Sequence, residues 1–380
     1  MKARALPAMV IVALLAAGGS SAASTPLTNY PVPRGGFTVA IPSSWVDLTN
    51  VTPEPDKNGK TPTIAAIAKA ASTDGAKKLV AADPKGQGTV YIDVEVERVG
   101  PVTASTAASE TLKAIRKVTG KKGSVTSKPA RLAGGEGYVL NFVYKQHESS
   151  EYLLIHDQIE YSILYVAPQA SWAKYASTFE ESAASFRFLA APKLTAVVLS
   201  TSQLGAGYKS SLIPEGNSFI GEATLDLCAG TYPSESLRTG RLQLRYVHAG
   251  KAIRVSNEVV TYTKGGAQEA LREVRGVAAS CARKPVVLEQ GQLKNVLSVV
   301  PIKDAKLLPG SVAVRITVKE TNGSKHATTT GVAIYQVKND TLSGVYAWTT
   351  PGTTIDQAAQ VGLRAAEQSA RNLGGIAFTA

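Results

Sequence analysis

TTTGVAIYQVKNDTLSGVYAW, residues 328–348, reads as two strands, 328–337 and 341–348, folded back on each other across Asn339-Asp340. Working outward from it, Val312, Val314, Ile316 and Val318 alternate up to Asn322-Gly323, a two-residue hairpin signal, so a third strand precedes the pair. Downstream, Thr354 and Gln357 stand at capping-box spacing. Ile355, Ala359, Leu363, Ala366, Ala370 and Leu373 then mark the buried face of a helix ending at Gly374-Gly375. Further upstream lie an alternating strand, Arg241 to Val247, and a second, EVVTYT (258–263). Ala267, Leu271, Val274, Ala278 and Cys281 follow at the spacing of one helix face. The order is strand, helix, three-strand meander, helix.

The first half repeats that order. Phe37, Val39 and Ile41 make a strand stopped by Pro42, and Val90, Ile92, Val94 and Val96 alternate with polar neighbours to make another, with one face expected in the core and the other in solvent. Between them, 52–88 reads as a helix–loop insertion around TIAAIAKAAS (63–72). Ala108, Leu112, Ile115 and Val118 predict a helix ending at Gly120. Three strands follow (137–144, 151–156, 159–166), then a helix faced by Trp172, Tyr175, Phe179, Ala183 and Phe186. The expected class is therefore α+β: two domains, 24–192 and 193–380, each an antiparallel sheet flanked by helices.

Residues 1–23, MKARALPAMVIVALLAAGGSSAA, have a charged head (Lys2, Arg4), a short apolar run and small residues before Ser24, the pattern of an export signal. LLAAGGS (14–20) imitates a lipoprotein box, but Gly19 and Ser20 stand where the acylated cysteine would be. The expectation is a secreted, envelope-associated protein without a lipid anchor and without a membrane span after the leader. The chain carries 41 Lys and Arg against 29 Asp and Glu, a formal net charge of +12. Residues 193–380 hold 21 basic and 13 acidic side chains, whereas 24–192 hold 18 and 16. A field of that sign favours anionic partners, a wall polymer or lipid head group, while the lack of a base-stacking aromatic array argues against nucleic acid.

Two packing motifs in the first half, GGFTVAIPSSW (35–45) and YSILYVAPQASWAKYASTFEESAASFRF (161–188), resemble the PsbP-like fold of exported bacterial lipoproteins, including the LpqN-type group. LDLCAGTYPSE (225–235), NEVVTYTKGGAQEALREVRGVAASC (257–281) and VAIYQVKNDTLSGVYA (332–347) resemble the PknH-like extracellular sensor domain. The first resemblance implies a small binding or accessory protein. The second implies a ligand-binding cleft and usually two disulfides, of which this chain has cysteines for one.

Cys228 and Cys281 are the only cysteines. Export permits them to pair, tying the DLCAG segment to the end of the helix 267–281; the alternative is two buried thiols. His147, His156, His248 and His326 show no HxxxH or HExxH spacing, so no metal is expected, and no cofactor. No nucleophile or acid–base constellation is visible, and the expectation is a non-enzymatic protein. The candidate ligand-binding residues are Arg238, Arg241, Arg245, Arg272, Arg275 and Trp348: Arg241 and Arg245 lie on one strand face with Gln243, flanked by Arg238, Lys251 and Arg254, Arg272 and Arg275 stand on the polar side of the following helix, and Trp348 ends a strand. They are read as the basic rim of a cleft or, in the plainer alternative, as solvated surface charges. The expected function is an exported binding or sensor-like protein taking an anionic or small envelope ligand, with a structural role beside another exported protein as the alternative.

Overall fold

The computed structural model describes residues 26–49, 77–86, 89–120, 124–133, 135–189, 193–220, 223–248, 250–291, 293–303 and 306–374. The export signal expected at 1–23 and the helix expected at 63–72 lie outside the described residues. The chain divides into two compact units, Met1–Ala190 and Ala191–Ala380.

Unit 1 contains β1 (Leu27–Val32), β2 (Phe37–Pro42), β3 (Val46–Asp47), β4 (Lys77–Ala82), β5 (Tyr91–Arg98), α1 (Ala104–Thr119), β6 (Val125–Leu132), β7 (Gly135–Tyr144), β8 (His147–His156), β9 (Ile159–Pro168), α2 (Trp172–Ser185) and β10 (Arg187–Phe188). Seven strands form one antiparallel sheet in the order β3-β4-β5-β9-β8-β7-β6, and β1-β2-β10 form a second. Two-residue turns join β7 to β8 and β8 to β9. Lys145, Gln146, Asp157 and Gln158 all have positive φ there, as the favoured hairpin turn requires. Thr103 caps α1 by accepting from the Thr106 amide at 3.1 Å.

The two helices cover opposite faces of the large sheet. α1 sets Ala108 and Ile115 against Leu140, Phe142, Leu153 and Leu164. α2 sets Phe179 5.0 Å from Tyr165, the residue after Leu164 on β9, and successive strand residues face opposite ways. This double cover also explains a departure on β5: Asp93, expected in solvent, is only 9% exposed.

Unit 2 contains α3 (Thr201–Leu204), β11 (Tyr208–Leu212), β12 (Arg238–His248), β13 (Lys251–Tyr262), α4 (Gly266–Arg283), β14 (Val286–Gln290), β15 (Leu293–Ile302), β16 (Val312–Asn322), β17 (Lys325–Lys338), β18 (Thr341–Trp348) and α5 (Ile355–Gly374). Its eight strands form one antiparallel sheet, β11-β12-β13-β18-β17-β16-β15-β14. The α+β class with helix-flanked antiparallel sheets holds in both units, but each has more strands than the sequence suggested. The predicted three-strand meander β16-β17-β18 is preceded by the β14–β15 hairpin and continues onto β13.

α4 covers one sheet face, packing Ala267, Leu271, Val274 and Ala278 on Val260, Ile316, Ala333, Tyr335 and Tyr346. α5 covers the other, where Ala358, Ala359, Ala365 and Ala366 meet Val255, Val332, Ile334, Val345 and Ala347. Small residues bring α5 close: a Cβ added at Gly362 would lie 2.5 Å from a methyl of Val332. The α5 face also buries two side-chain amides, Asn257 and Gln336, both supplied with partners. Asn257, fully buried, accepts from the Leu199 amide at 2.9 Å and donates to the Ser343 hydroxyl at 2.8 Å and the Gly344 carbonyl at 2.9 Å. Gln336 accepts from the Leu308 amide and donates to the Ala366 carbonyl. Such partners are what makes burial of an amide tolerable.

Cys228 and Cys281 form a disulfide with Cα atoms 6.4 Å apart, linking the segment before β12 to the last turn of α4.

Candidate functional site

The sheet face that α4 covers is left open where β12, β13 and β18 run beyond the helix, and an open groove of about 430 Å³ lies there. Its residues follow from strand register. Arg245 on β12 is directly opposite Ser256 on β13, which is opposite Tyr346 on β18. One row further out, Arg254 is opposite Trp348, which is opposite Gly331 on β17. Thr329 and Val318, paired across β17 and β16, close one end, and Ile213 with Gln243 the other.

Trp348 lies across Gly331 because that position has no side chain. A Cβ there would stand 2.5 Å from the indole and 2.7 Å from the Ala347 carbonyl. The glycine thus lets the ring lie against the strand as a half-exposed platform beside the two arginines. Arg245 and Arg254 are both exposed and, among the described residues, neither has an ion-pair or hydrogen-bond partner. They are diagonal neighbours on one face, a separation of about 7–8 Å at which like charges repel.

Arg241, two residues beyond Gln243 on the same strand, is 8% exposed and faces no solvent. Its Nε donates to Glu258, itself 3% exposed, its Nη1 to the carbonyls of Glu215 (3.0 Å) and Ser218 (3.3 Å), and its Nη2 to Oε1 of Gln243 at 2.6 Å. Burial pushes the Glu258 carboxyl up to about 7 from 4.5, and the attraction of Arg241 only partly offsets this. The pair has two structural consequences. It holds the turn after Ile213 onto the sheet, and it fixes the Gln243 amide with its carbonyl inward and its NH₂ toward the groove.

Arg238 is likewise buried, at 7% exposure. It pairs with Glu235, which also accepts from the Thr224 and Leu225 amides. Burial lowers its guanidinium pKa. A rim made of Arg238, Arg241 and Arg245 is therefore not what the fold builds: Arg245 is on the groove, Arg241 stands behind it, and Arg238 belongs to the core network. Arg272 pairs with Glu269 on its own helix and Arg275 donates to the Gly310 carbonyl; neither lines the groove. Trp348 does. Arg254, which the sequence placed only as a flanking charge, is the second cation, and Gln243 and Ser256 complete the set. Among the described residues no group of three His, Cys, Asp or Glu is placed to hold a metal ion.

No protein-family model matches the chain, and no curated protein matches it. Two solved structures match the two families that its motifs suggested. Cyanobacterial PsbP (CyanoP) from Synechocystis sp. PCC 6803 is 12% identical over 45% of this chain and 98% of its own, with a TM-score of 0.31. The extracellular domain of PknH from Mycobacterium tuberculosis is 16% identical over 48% of this chain and 97% of its own, with a TM-score of 0.32. The chain resembles both. A Saccharomyces cerevisiae Ran-binding protein, Mog1p, is 12% identical over 44% of this chain and 97% of its own, with a TM-score of 0.29. These are partial likenesses of fold, and nothing about the groove rests on them. Among the described residues no helix is long and apolar enough to cross a membrane.

Proposed function

We propose that the chain is an exported, non-enzymatic binding or sensor-like protein of the bacterial cell envelope, whose second unit captures an anionic ligand in the groove of Arg245, Arg254 and Trp348. The leader-like residues 1–23 and the disulfide support export, since disulfides persist in oxidising compartments. The observation that carries the reading is the unpaired Arg245–Arg254 neighbourhood. Two adjacent guanidinium groups without a carboxylate gain most from an anion placed between them.

Titration of the full chain with poly(glycerol phosphate) tests it. Binding is expected at low salt, weakening steadily as salt rises, and lost when Arg245 and Arg254 are both changed to Ser. Absence of binding at low salt, or binding indifferent to salt, overturns the reading. A second reading, docking of another exported protein, is favoured by Val287 and Leu288, which are 49% and 41% exposed on β14, the edge strand of the sheet. A complex that survives high salt and is lost on Leu288→Lys would support it.

A further inference from the structure

Resting on the reading of the groove as an anion site, we infer that its ligand is an anionic saccharide, held by one sugar face on Trp348 and by a carboxylate or phosphate substituent between Arg245 and Arg254. The groove presents three unlike things in fixed order. The first is the apolar platform, Trp348 laid flat over Gly331 with Val318 beside it. A pyranose ring has one face of C–H groups, which suits the electron-rich face of an indole, while its edge remains polar.

The second is a rim of donors. With Oε1 of Gln243 taken by Arg241, its Nε2 is the outward atom, a donor only. Ser256 lies between Gln243 and Arg254 on the same face, and Thr329 at the far end; among the described residues neither hydroxyl has a partner. Sugar hydroxyls and the ring oxygen offer acceptor lone pairs in a ring-shaped array, which is what such a rim can meet. The third is the cation pair, whose planar forks match carboxylate or phosphate oxygens.

The groove is open along its length, and this decides against an acyl chain. A chain lying there would keep one side in water and gain only part of the roughly 25 cal/mol per Å² that full burial provides. A sugar needs only one apolar face covered, and the groove offers only one.

Calorimetric titration of the full chain with five probes tests the class: tetragalacturonate, glucose 1-phosphate, cellotetraose, inorganic phosphate and dodecyl phosphate. The two anionic sugars are expected to bind at least about tenfold more tightly than inorganic phosphate and than the neutral cellotetraose, about 1.4 kcal/mol in each comparison. Saturation transfer should mark the C–H protons of one sugar face. Trp348→Leu should abolish that advantage. Arg254→Gln, at an exposed position, should weaken all anionic probes and serves if Trp348→Leu fails to fold. Equal binding of inorganic phosphate and sugar phosphate overturns the saccharide inference and leaves the anion site standing. Tighter binding of dodecyl phosphate than of either sugar also overturns it, in favour of an amphiphile. If no anionic probe binds, the anion reading falls with it.

Discussion

Replacing Arg241 with Met removes the cation from the most deeply buried ion pair among the described residues of the second unit while keeping much of its volume. The cost has two parts that pH separates. Arg241 also donates to the Glu215 and Ser218 carbonyls and to Gln243, and leaving buried acceptors without donors costs about 1–3 kcal/mol at any pH. The second part belongs to Glu258. Its carboxyl is raised from 4.5 to about 7, so the folded state holds the proton more tightly than the unfolded chain does. The stability this group contributes is fully present below about pH 4.5 and is lost as pH rises through about 7, a change of roughly 3 kcal/mol at 1.36 kcal/mol per pH unit. Without Arg241 the carboxyl rises further, because burial is no longer opposed and Glu235 and Asp226 still repel the charge. The variant therefore keeps losing stability above pH 7, where the parent has levelled off, and its penalty at about pH 8 should exceed that at about pH 5 by roughly 1 kcal/mol. Replacing both partners, Arg241→Met with Glu258→Met, removes the titrating group, and the slope should vanish although the carbonyl cost remains. Pulsed hydrogen exchange across a urea series reads this in the full chain, with peptides from β12 and β13 reporting on the second unit. Equal penalties at both pH values, or a double variant that keeps the slope, would refute the reasoning.

The disulfide closes a loop of 53 residues, so changing Cys228 and Cys281 to Ser should cost about 4 kcal/mol in the chain-entropy model; a parent whose thermal unfolding ignores reductant would contradict this. Asn257→Leu strands the Leu199 amide and the Gly344 carbonyl and should destabilise by about 2–4 kcal/mol, with early loss of exchange protection at Leu199 as the local signature. Gly331→Val drives a side chain into the indole and should cost about 1–3 kcal/mol, red-shift Trp348 emission and abolish binding in the groove. An unshifted emission spectrum would show that the ring does not depend on that glycine.

The elements legible in the sequence are those whose signal is local. The capping box was visible as Thr354 and Gln357, and the structure has both bonds, Thr354 N to Gln357 Oε1 at 2.8 Å and Gln357 N to Thr354 Oγ1 at 3.3 Å. The turn at Asn339-Asp340 was equally plain, and Asn339 indeed takes positive φ. The strands that escaped notice have no such signal. β14, VVLEQ, is exposed along nearly its whole length, so no hydrophobic alternation marks it, and β6 contains Pro129, which is admissible only because β6 is an edge strand. In β1, Leu27–Val32, four of six residues are polar or proline, and pairing with β2 alone makes it a strand.

The site failed differently, and for a reason that register makes clear. Arg241 and Arg245 do share a strand face, as their spacing of four requires, but spacing says nothing about depth. Depth is set by what crosses over the strand and by which residue sits opposite. Gln243 is paired with Glu258, which brings that carboxylate beside Arg241, whereas Arg245 is paired with Ser256. The turn at 213–218 lies over the first arginine only, where its carbonyls accept from the guanidinium. One strand therefore carries a sequestered arginine and a free one, separated by a glutamine that the first orients and the groove uses. The sequence shows three polar residues in alternation, and only the partner strand assigns each its task. By the same logic Arg254 becomes a site residue through Trp348 opposite it, a pairing between positions 94 residues apart that no local pattern could announce.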